Sequence, residues 1–292
     1  MRRSSCWATI RVSRSTSTVA ADADLTLAGE DTELLVELAR LGGSAGGSRP
    51  KARIAVDSGG RIRSGAASLR PGDTGWLIKF WARQADPEDI GPLEYAYARM
   101  AISAGLDVAE PWLIQTIRGA YFASRRFDRN DAGRVHVSSA AGILAVAPEQ
   151  AIAADYHDIL RNTRHVTRSE PEVAAAYRHA VFNVLAHNRD DHLRQFAFMR
   201  RGSTWCRSPA YDLTSCDGPG GEHTLLVASE GRRPGTAHLD ELAKQAGIRT
   251  RVAREVVADV RGALARWAEF ADQAEVSPSS RERVADALRA NV

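Results

Sequence analysis

At 292 residues the chain exceeds one average domain and suits two lobes that share a cleft. Apolar residues make up 44% and charged ones 26%, an ordinary globular mix, and no apolar run approaches the roughly 20 residues of a membrane span. The net charge of +3 comes from 39 basic residues nearly balanced by 36 acidic ones, too weak a surplus to argue for a nucleic-acid surface. Cys6, Cys206 and Cys216 form no C-x-x-C pair, so neither a disulfide framework nor a thiolate zinc site is indicated, and a reducing cytoplasm is expected.

Residues 1–30 read as an N-terminal extension. Arg2, Arg3, Arg11 and Arg14 lie there among many Ser and Thr, a mix like that of a transit peptide, but an apolar signal core is lacking and a poorly ordered or partly β start is expected. Helical spacing of Leu34, Leu35, Leu38 and Leu41 is broken by Gly42-Gly43-Ser44-Ala45-Gly46-Gly47-Ser48, a short helix running into a glycine-rich loop. Short apolar segments at 52–56 and 75–81 read as strands, the second containing Lys79. Leu93, Ala96, Tyr97, Met100, Ala101 and Ala104 mark one helical face, with Gly105 placed as its C-cap. Strand-like segments follow at 112–117 and 121–127. A polar, glycine-containing stretch at 129–133 divides a mixed α/β lobe, 31–130, from a mainly helical one, 131–292.

The clearest helix covers 171–187, where Val173, Ala176, Tyr177, Ala180, Val181, Val184 and Leu185 keep the i, i+3, i+4, i+7 rule. Charged residues begin where it ends. Segments 196–199 and 204–207 read as a hairpin turning through Arg201-Gly202-Ser203, and Asp212 follows its second strand. Val256, Val257, Val260, Leu264, Trp267 and Ala271 predict one long amphipathic helix, and a final short helix follows the Ser and Pro residues of 276–280.

The chemistry resides in an acidic loop after a buried helix, a hairpin, and then a second acid, with 21 residues between Asp190 and Asp212. Phosphoryl transfer needs one carboxylate facing the attacking hydroxyl and another holding the metal that neutralises phosphate oxygens. The eukaryotic kinase pattern H-R-D-x-x-x-x-N finds Asn188-Arg189-Asp190 here and, five positions after Asp190, Gln195. Gln offers a metal the same carbonyl oxygen as Asn on a longer stem with more rotamer entropy to lose, so weaker metal affinity is expected. Two other readings of this run stand beside the kinase one: a solvated helix end, or a hydrolytic metal site drawn from His187, Asp190, Asp191 and His192.

A lysine inside an apolar strand is costly to bury unless paired. An ATP phosphate would pair Lys79, and a glutamate from the next helix, Glu94, would hold it in place. The alternative is that Lys79 snorkels to the surface. The glycine-rich segment matches neither G-x-x-x-x-G-K-[ST] nor G-x-G-x-x-G, so it is either a plain flexible loop or one whose backbone amides approach phosphates.

Ser44-Ala45-Gly46-Gly47-Ser48-Arg49-Pro50-Lys51-Ala52, the Lys79 strand, Arg126-Phe127-Asp128-Arg129, Asn188-Arg189-Asp190-Asp191-His192 and Ser208-Pro209-Ala210-Tyr211-Asp212-Leu213 together resemble, in order, the HipA-like serine/threonine kinases of bacterial toxin–antitoxin modules. The resemblance implies a two-lobed, protein-kinase-like α/β (α+β) fold that uses ATP and Mg2+. It implies Asp190 as the catalytic aspartate and Asp212, with Gln195 in place of the usual Asn, as the metal-binding side. Gly46, Gly47, Ser48, Arg49 and Lys51 correspond to the nucleotide loop, Lys79 to the ATP-phosphate lysine, and Arg125, Arg126 and Phe127 to the adenine pocket. His192 and Tyr211, inside the matching motifs, are carried over as nucleotide contacts. Ser44 corresponds to a serine whose autophosphorylation switches such kinases off; a charge of about −1.5 to −2 on a loop that must approach phosphates supplies the reason. The implied partners are a protein substrate, such as an aminoacyl-tRNA synthetase or another translation factor, and a helix-turn-helix antitoxin. Long members carry a further N-terminal subdomain, and this chain resembles the short ones. A small-molecule phosphotransferase and a degenerate, non-catalytic kinase-like binding protein are the competing functions.

Overall fold

The structure is a computed structural model and describes residues 51–64, 69–81, 87–116, 119–130, 133–146 and 154–291. The helix expected at 32–41 and the glycine-rich loop, with Ser44, Gly46, Gly47, Ser48 and Arg49, lie outside the described residues.

The first half is built on strands β1 (Lys51–Val56), β2 (Ile62–Ser64) and β3 (Thr74–Lys79), helix α1 (Ile90–Ser103), and strands β4 (Pro111–Thr116) and β5 (Gly119–Arg125). These strands form an antiparallel five-stranded sheet in the order β2-β1-β3-β5-β4, which makes β3 central and sets Lys79 opposite Lys51. Its apolar face gathers Ile54, Trp76, Ile78, Trp112 and Ile114 into a small core of its own.

The second half begins with the short pair β6 (Arg129–Asn130) and β7 (Gly133–Arg134), then β8 (Val137–Ser139) and α2 (Ala140–Ile143). Helices α3 (Tyr156–Thr167) and α4 (Glu170–Leu185) precede the hairpin β9 (Ala197–Arg201) and β10 (Thr204–Arg207), which β8 extends to three strands. Helices α5 (Thr236–Gln245), α6 (Thr250–Leu264), α7 (Trp267–Gln273) and α8 (Pro278–Ala290) complete the chain. The long helix expected through 256–271 is therefore two. It breaks at Ala265 and Arg266, and the turn lets Trp267 lie against Tyr97, ring centroids 5.6 Å apart. A period of 3.6 continues across such a break when both segments face one core, so the apolar pattern hides it.

Although it precedes the second half in sequence, α1 packs on β4 and β5 on one side and on α6 and α7 on the other. Leu93, Tyr97 and Met100 join the same large core as α4 and α6. Its contact with β5 is close enough to require glycine: a Cβ on Gly91 would lie 2.3 Å from the Ala120 carbonyl oxygen. Gly91→Ala is expected to lower the unfolding free energy by about 2 kcal/mol through this overpacking, measured by urea denaturation.

Beneath β9 and β10, His179 of α4 is buried against the Phe196 ring at 4.7 Å. Burial first, and the nearby Arg207 guanidinium second, push its pKa down to about 3 from 6.5. The unfolded chain then binds the proton first on acidification. His179 therefore contributes stability that is complete above pH 6.5 and declines toward the folded value of about 3, with a slope of about 1.4 kcal/mol per pH unit inside that window. Denaturant melts at stepped pH should show this slope reduced in His179→Gln.

Candidate active site

Lys79 closes β3, and its ammonium meets two carboxylates: Glu94 Oε2 at 2.9 Å, from α1, and Asp212 Oδ1 at 2.5 Å, from beyond β10. The lysine is 9% exposed and its glutamate partner 2%, so Lys79 does not snorkel. Burial lowers the pKa of a lysine, but the charges of Asp212 and Glu94 outweigh it and hold this ammonium above the ordinary lysine range. It also lies 5.5 Å from the centre of the Phe122 ring.

Asp212 is positioned by what precedes it. Ala210 is tied to the turn after α1 by two backbone bonds, Ala109 N to Ala210 O at 2.9 Å and Ala210 N to Asp107 O at 2.7 Å. The Tyr211 hydroxyl donates to the Arg194 carbonyl at 2.7 Å, and its ring lies 5.6 Å from that of Phe127. Asp212 itself adopts a left-handed backbone, φ 60°, which few non-glycine residues take up. Its second oxygen accepts from Gln195 Nε2 at 3.3 Å.

The loop bearing Asp190 starts where α4 ends. Tyr97, one turn beyond Glu94 on the same face of α1, donates its hydroxyl to the Ala186 carbonyl at 2.9 Å. His187 turns the chain through φ 57°. Cys216 N then bonds His187 O at 2.9 Å and Arg189 N bonds Cys216 O at 3.1 Å, so the loop runs beside the segment that follows Asp212. Gly218 permits this approach: a Cβ there would stand 2.8 Å from Arg189 Cβ.

Adjacent acids meet opposite fates. The Asp190 side chain is 50% exposed and lies 3.8 Å from His192 Nε2. Asp191 is fully buried and accepts from the Tyr156 hydroxyl at 2.7 Å, His223 Nδ1 at 2.8 Å, Thr224 N at 2.8 Å and Leu225 N at 3.3 Å. Asn183 extends the network by donating to Tyr156 at 3.0 Å and accepting from Asn188 at 2.9 Å. A solvated helix end is thus excluded, and this buried acceptor escaped the sequence reading. The signal that could have found it is the pairing of a second acid beside Asp190 with a distant His223, which carries no local pattern.

The hydrolytic cluster is not assembled either. Asp191 is consumed by its four donors, and His187 lies 2.8 Å from Asp217 through Nε2 and 3.0 Å from Asn291 through Nδ1. Among the described residues no group of three or more His, Cys, Asp or Glu could hold a metal by itself. Asp212, with Gln195 beside it through Nε2, instead offers carboxylate oxygens of the type Mg2+ takes when it is held by one or two carboxylates together with phosphate oxygens and water. His192 Nδ1 is buried without a hydrogen-bond partner, a group for a ligand to satisfy. The donor set fits a nucleotide with a hard cation.

The other carried-over residues have partners of their own. Arg125 is half-exposed and pairs with Glu110 at 2.9 Å, and Arg126 grips Asp128 through two bonds of 2.9 and 2.8 Å. Of that segment, Phe127 alone is placed by a ring contact with Tyr211. Lys51 sits one strand away from Lys79, directly across the ladder.

A central sheet, a helix that supplies a glutamate to the sheet's lysine, and a helical half that carries the acidic loop define a kinase-like fold. The chain matches the HipA-like C-terminal domain over residues 43–268 and belongs to that family. It is 29% identical over 157 residues to Y4dM of Sinorhizobium fredii, whose name gives it as a candidate kinase; the match covers 48% of this chain and 37% of that protein. Its fold resembles that of HipA from Shewanella oneidensis, solved in complex with HipB and operator DNA, with a TM-score of 0.66, 17% identity, and coverage of 85% of this chain and 63% of that one. A Helicobacter pylori proinflammatory kinase, CtkA, aligns with a TM-score of 0.44 and 13% identity over 71% of this chain and 93% of its own. The chain thus spans less than two thirds of Y4dM and of the Shewanella HipA.

Removing the Asp191 carboxylate leaves Tyr156, His223 and two amides without their acceptor. Asp191→Ala is expected to cost about 3 kcal/mol of unfolding free energy, and a urea-melt loss under about 1 kcal/mol would show that the network contributes little.

Proposed function

We propose that the chain is an ATP- and magnesium-dependent kinase that phosphorylates serine or threonine hydroxyls of a protein. The observation that carries this reading is the buried Lys79 ammonium held between Glu94 and Asp212. A strand lysine oriented by a helix glutamate, next to a carboxylate suited to a metal, is the arrangement by which protein kinases bind a triphosphate. Lys79 pairs with phosphate oxygens while Glu94 keeps its stem in place. Asp212 and Gln195 hold the cation. Asp190, projecting from a loop pinned on both sides, orients the attacking hydroxyl and receives its proton. Magnesium, when bound, neutralises charge on the phosphate oxygens, and ATP supplies the phosphoryl group.

The family membership supports a toxin role, with Ser44 as the autophosphorylated residue and a helix-turn-helix antitoxin as partner, as HipB accompanies the Shewanella HipA. The substrate belongs to the same proposal: a protein of the translation machinery, such as an aminoacyl-tRNA synthetase. Gln195 is the feature that keeps a degenerate, nucleotide-binding function as the second reading.

Incubation with radiolabelled ATP and magnesium separates these. Self-labelling is expected in the wild type, abolished in Asp190→Ala and greatly reduced in Ser44→Ala. Retained labelling in Asp190→Ala removes the catalytic assignment, whereas nucleotide binding without any labelling in the wild type supports the degenerate reading.

A further inference from the structure

Away from the Lys79 cluster, the ends of α3 and α2 and the tip of the β9–β10 hairpin line a groove of about 770 Å³, within the usual range for ligand sites. Its apolar lining comes from Ile143, Val166 and Trp205, all partly buried and packed against the main core. Its polar lining includes His136, His165 and Arg168, and no carboxylate contributes to it among the described residues. The His136 ring stands edge-on to Trp205 at 5.3 Å, which fixes the indole as one wall. The acid nearest in sequence, Glu170, is already taken by Arg164 through two bonds of 2.7 and 2.8 Å.

Arg168 supplies a second observation. It ends α3 in the left-handed region, φ 52° and ψ 37°, where glycine or asparagine is the usual residue. Its side chain is exposed and forms no ion pair among the described residues. A strained backbone position occupied by a long cation, at the mouth of an aromatic groove with no acid among its described lining residues, fits selection for the guanidinium rather than for the turn.

We propose that this groove docks an acidic peptide segment of a partner protein, with an apolar residue of the segment seated against Trp205 and flanking carboxylates on Arg168 and the histidines. A peptide fits better than a nucleic acid, because one guanidinium and two imidazole rings around an apolar floor match one anchor and a few carboxylates rather than a repeating phosphate backbone. The hairpin that forms one wall leads, through residues 208–211, into Asp212. The proposal makes no assumption about phosphoryl transfer.

The test uses the full chain and a short fluorescein-labelled peptide of Asp and Glu around a central Leu-Phe pair, followed by anisotropy. The control is the same peptide with Asn and Gln replacing the acids. Saturable binding of the acidic peptide is expected, weakened about tenfold in Trp205→Ala and in Arg168→Gly, the scale of one lost charge-assisted contact. Arg168→Gly relieves the left-handed strain, so its Tm should equal or exceed that of the wild type, which separates lost binding from lost folding. The proposal is overturned if the acidic peptide binds no better than its neutral control, if both variants bind it as the wild type does, or if single-stranded DNA of matched charge binds more tightly than the peptide.

Discussion

A lysine ammonium buried between two carboxylates organises this molecule. Lys79, Glu94 and Asp212 come from the central strand, the helix beside the sheet and the far side of the hairpin, and Lys79 and Asp212 are 133 residues apart in sequence. Burying an ammonium costs several kcal/mol unless well-placed counter-charges compensate, so the three elements must arrive in register for the lysine to remain charged. Its contacts of 2.9 Å to Glu94 and 2.5 Å to Asp212 meet that condition. This constraint orients α1, and α1 passes it on. Tyr97 lies one turn beyond Glu94, and its hydroxyl fixes the last carbonyl before the Asp190 loop. The position of the lysine and the start of the acidic loop are therefore set by two side chains on one helix face, rather than by the loops that connect them.

The same economy governs the acidic loop. Consecutive aspartates have identical chemistry, yet the fold gives Asp191 four donors in a dry interior and leaves Asp190 half in solvent. The buried one makes the exposed one useful. With Arg189 bonded to Cys216 and Thr224 on one side and Asp191 anchored on the other, the backbone at Asp190 has little freedom left. Under the proposed chemistry this restraint settles the orientation of Asp190 before substrate arrives.

Much of this was legible in the chain. The helix at 171–187 appears as Glu170–Leu185 because burial on nearly all sides imposes a dense 3.6 period, and the hairpin was marked by its glycine turn. Lys79 and Glu94 were paired in advance by the cost of an isolated lysine in an apolar strand. What stayed hidden depends on distant partners. The sink around Asp191 draws donors from Tyr156 and from residues 223–225, and no local pattern announces such a meeting. Arg125 and Arg126 have partners of the same unannounced kind, Glu110 and Asp128, which the sequence reading did not pair with them. The break between α6 and α7 is silent for a different reason: both segments present the same apolar stripe to one core.

Gln195 gives a case in which the structure adds to a sequence argument. Its extra methylene was expected to weaken metal binding by adding rotamer freedom that a ligand must lose. The side chain is, however, 4% exposed, sits in a turn closed by its own amide to the His192 carbonyl at 2.9 Å, and already reaches Asp212. Most of that freedom is therefore surrendered when the chain folds, not when a cation arrives, and the entropic penalty falls on stability instead. Under the proposed chemistry the difference between Gln and Asn becomes one of reach and oxygen placement, set by how the buried carboxamide is turned. A fold that buries an unusual residue in this way moves the entropic cost of its extra methylene from ligand binding to folding.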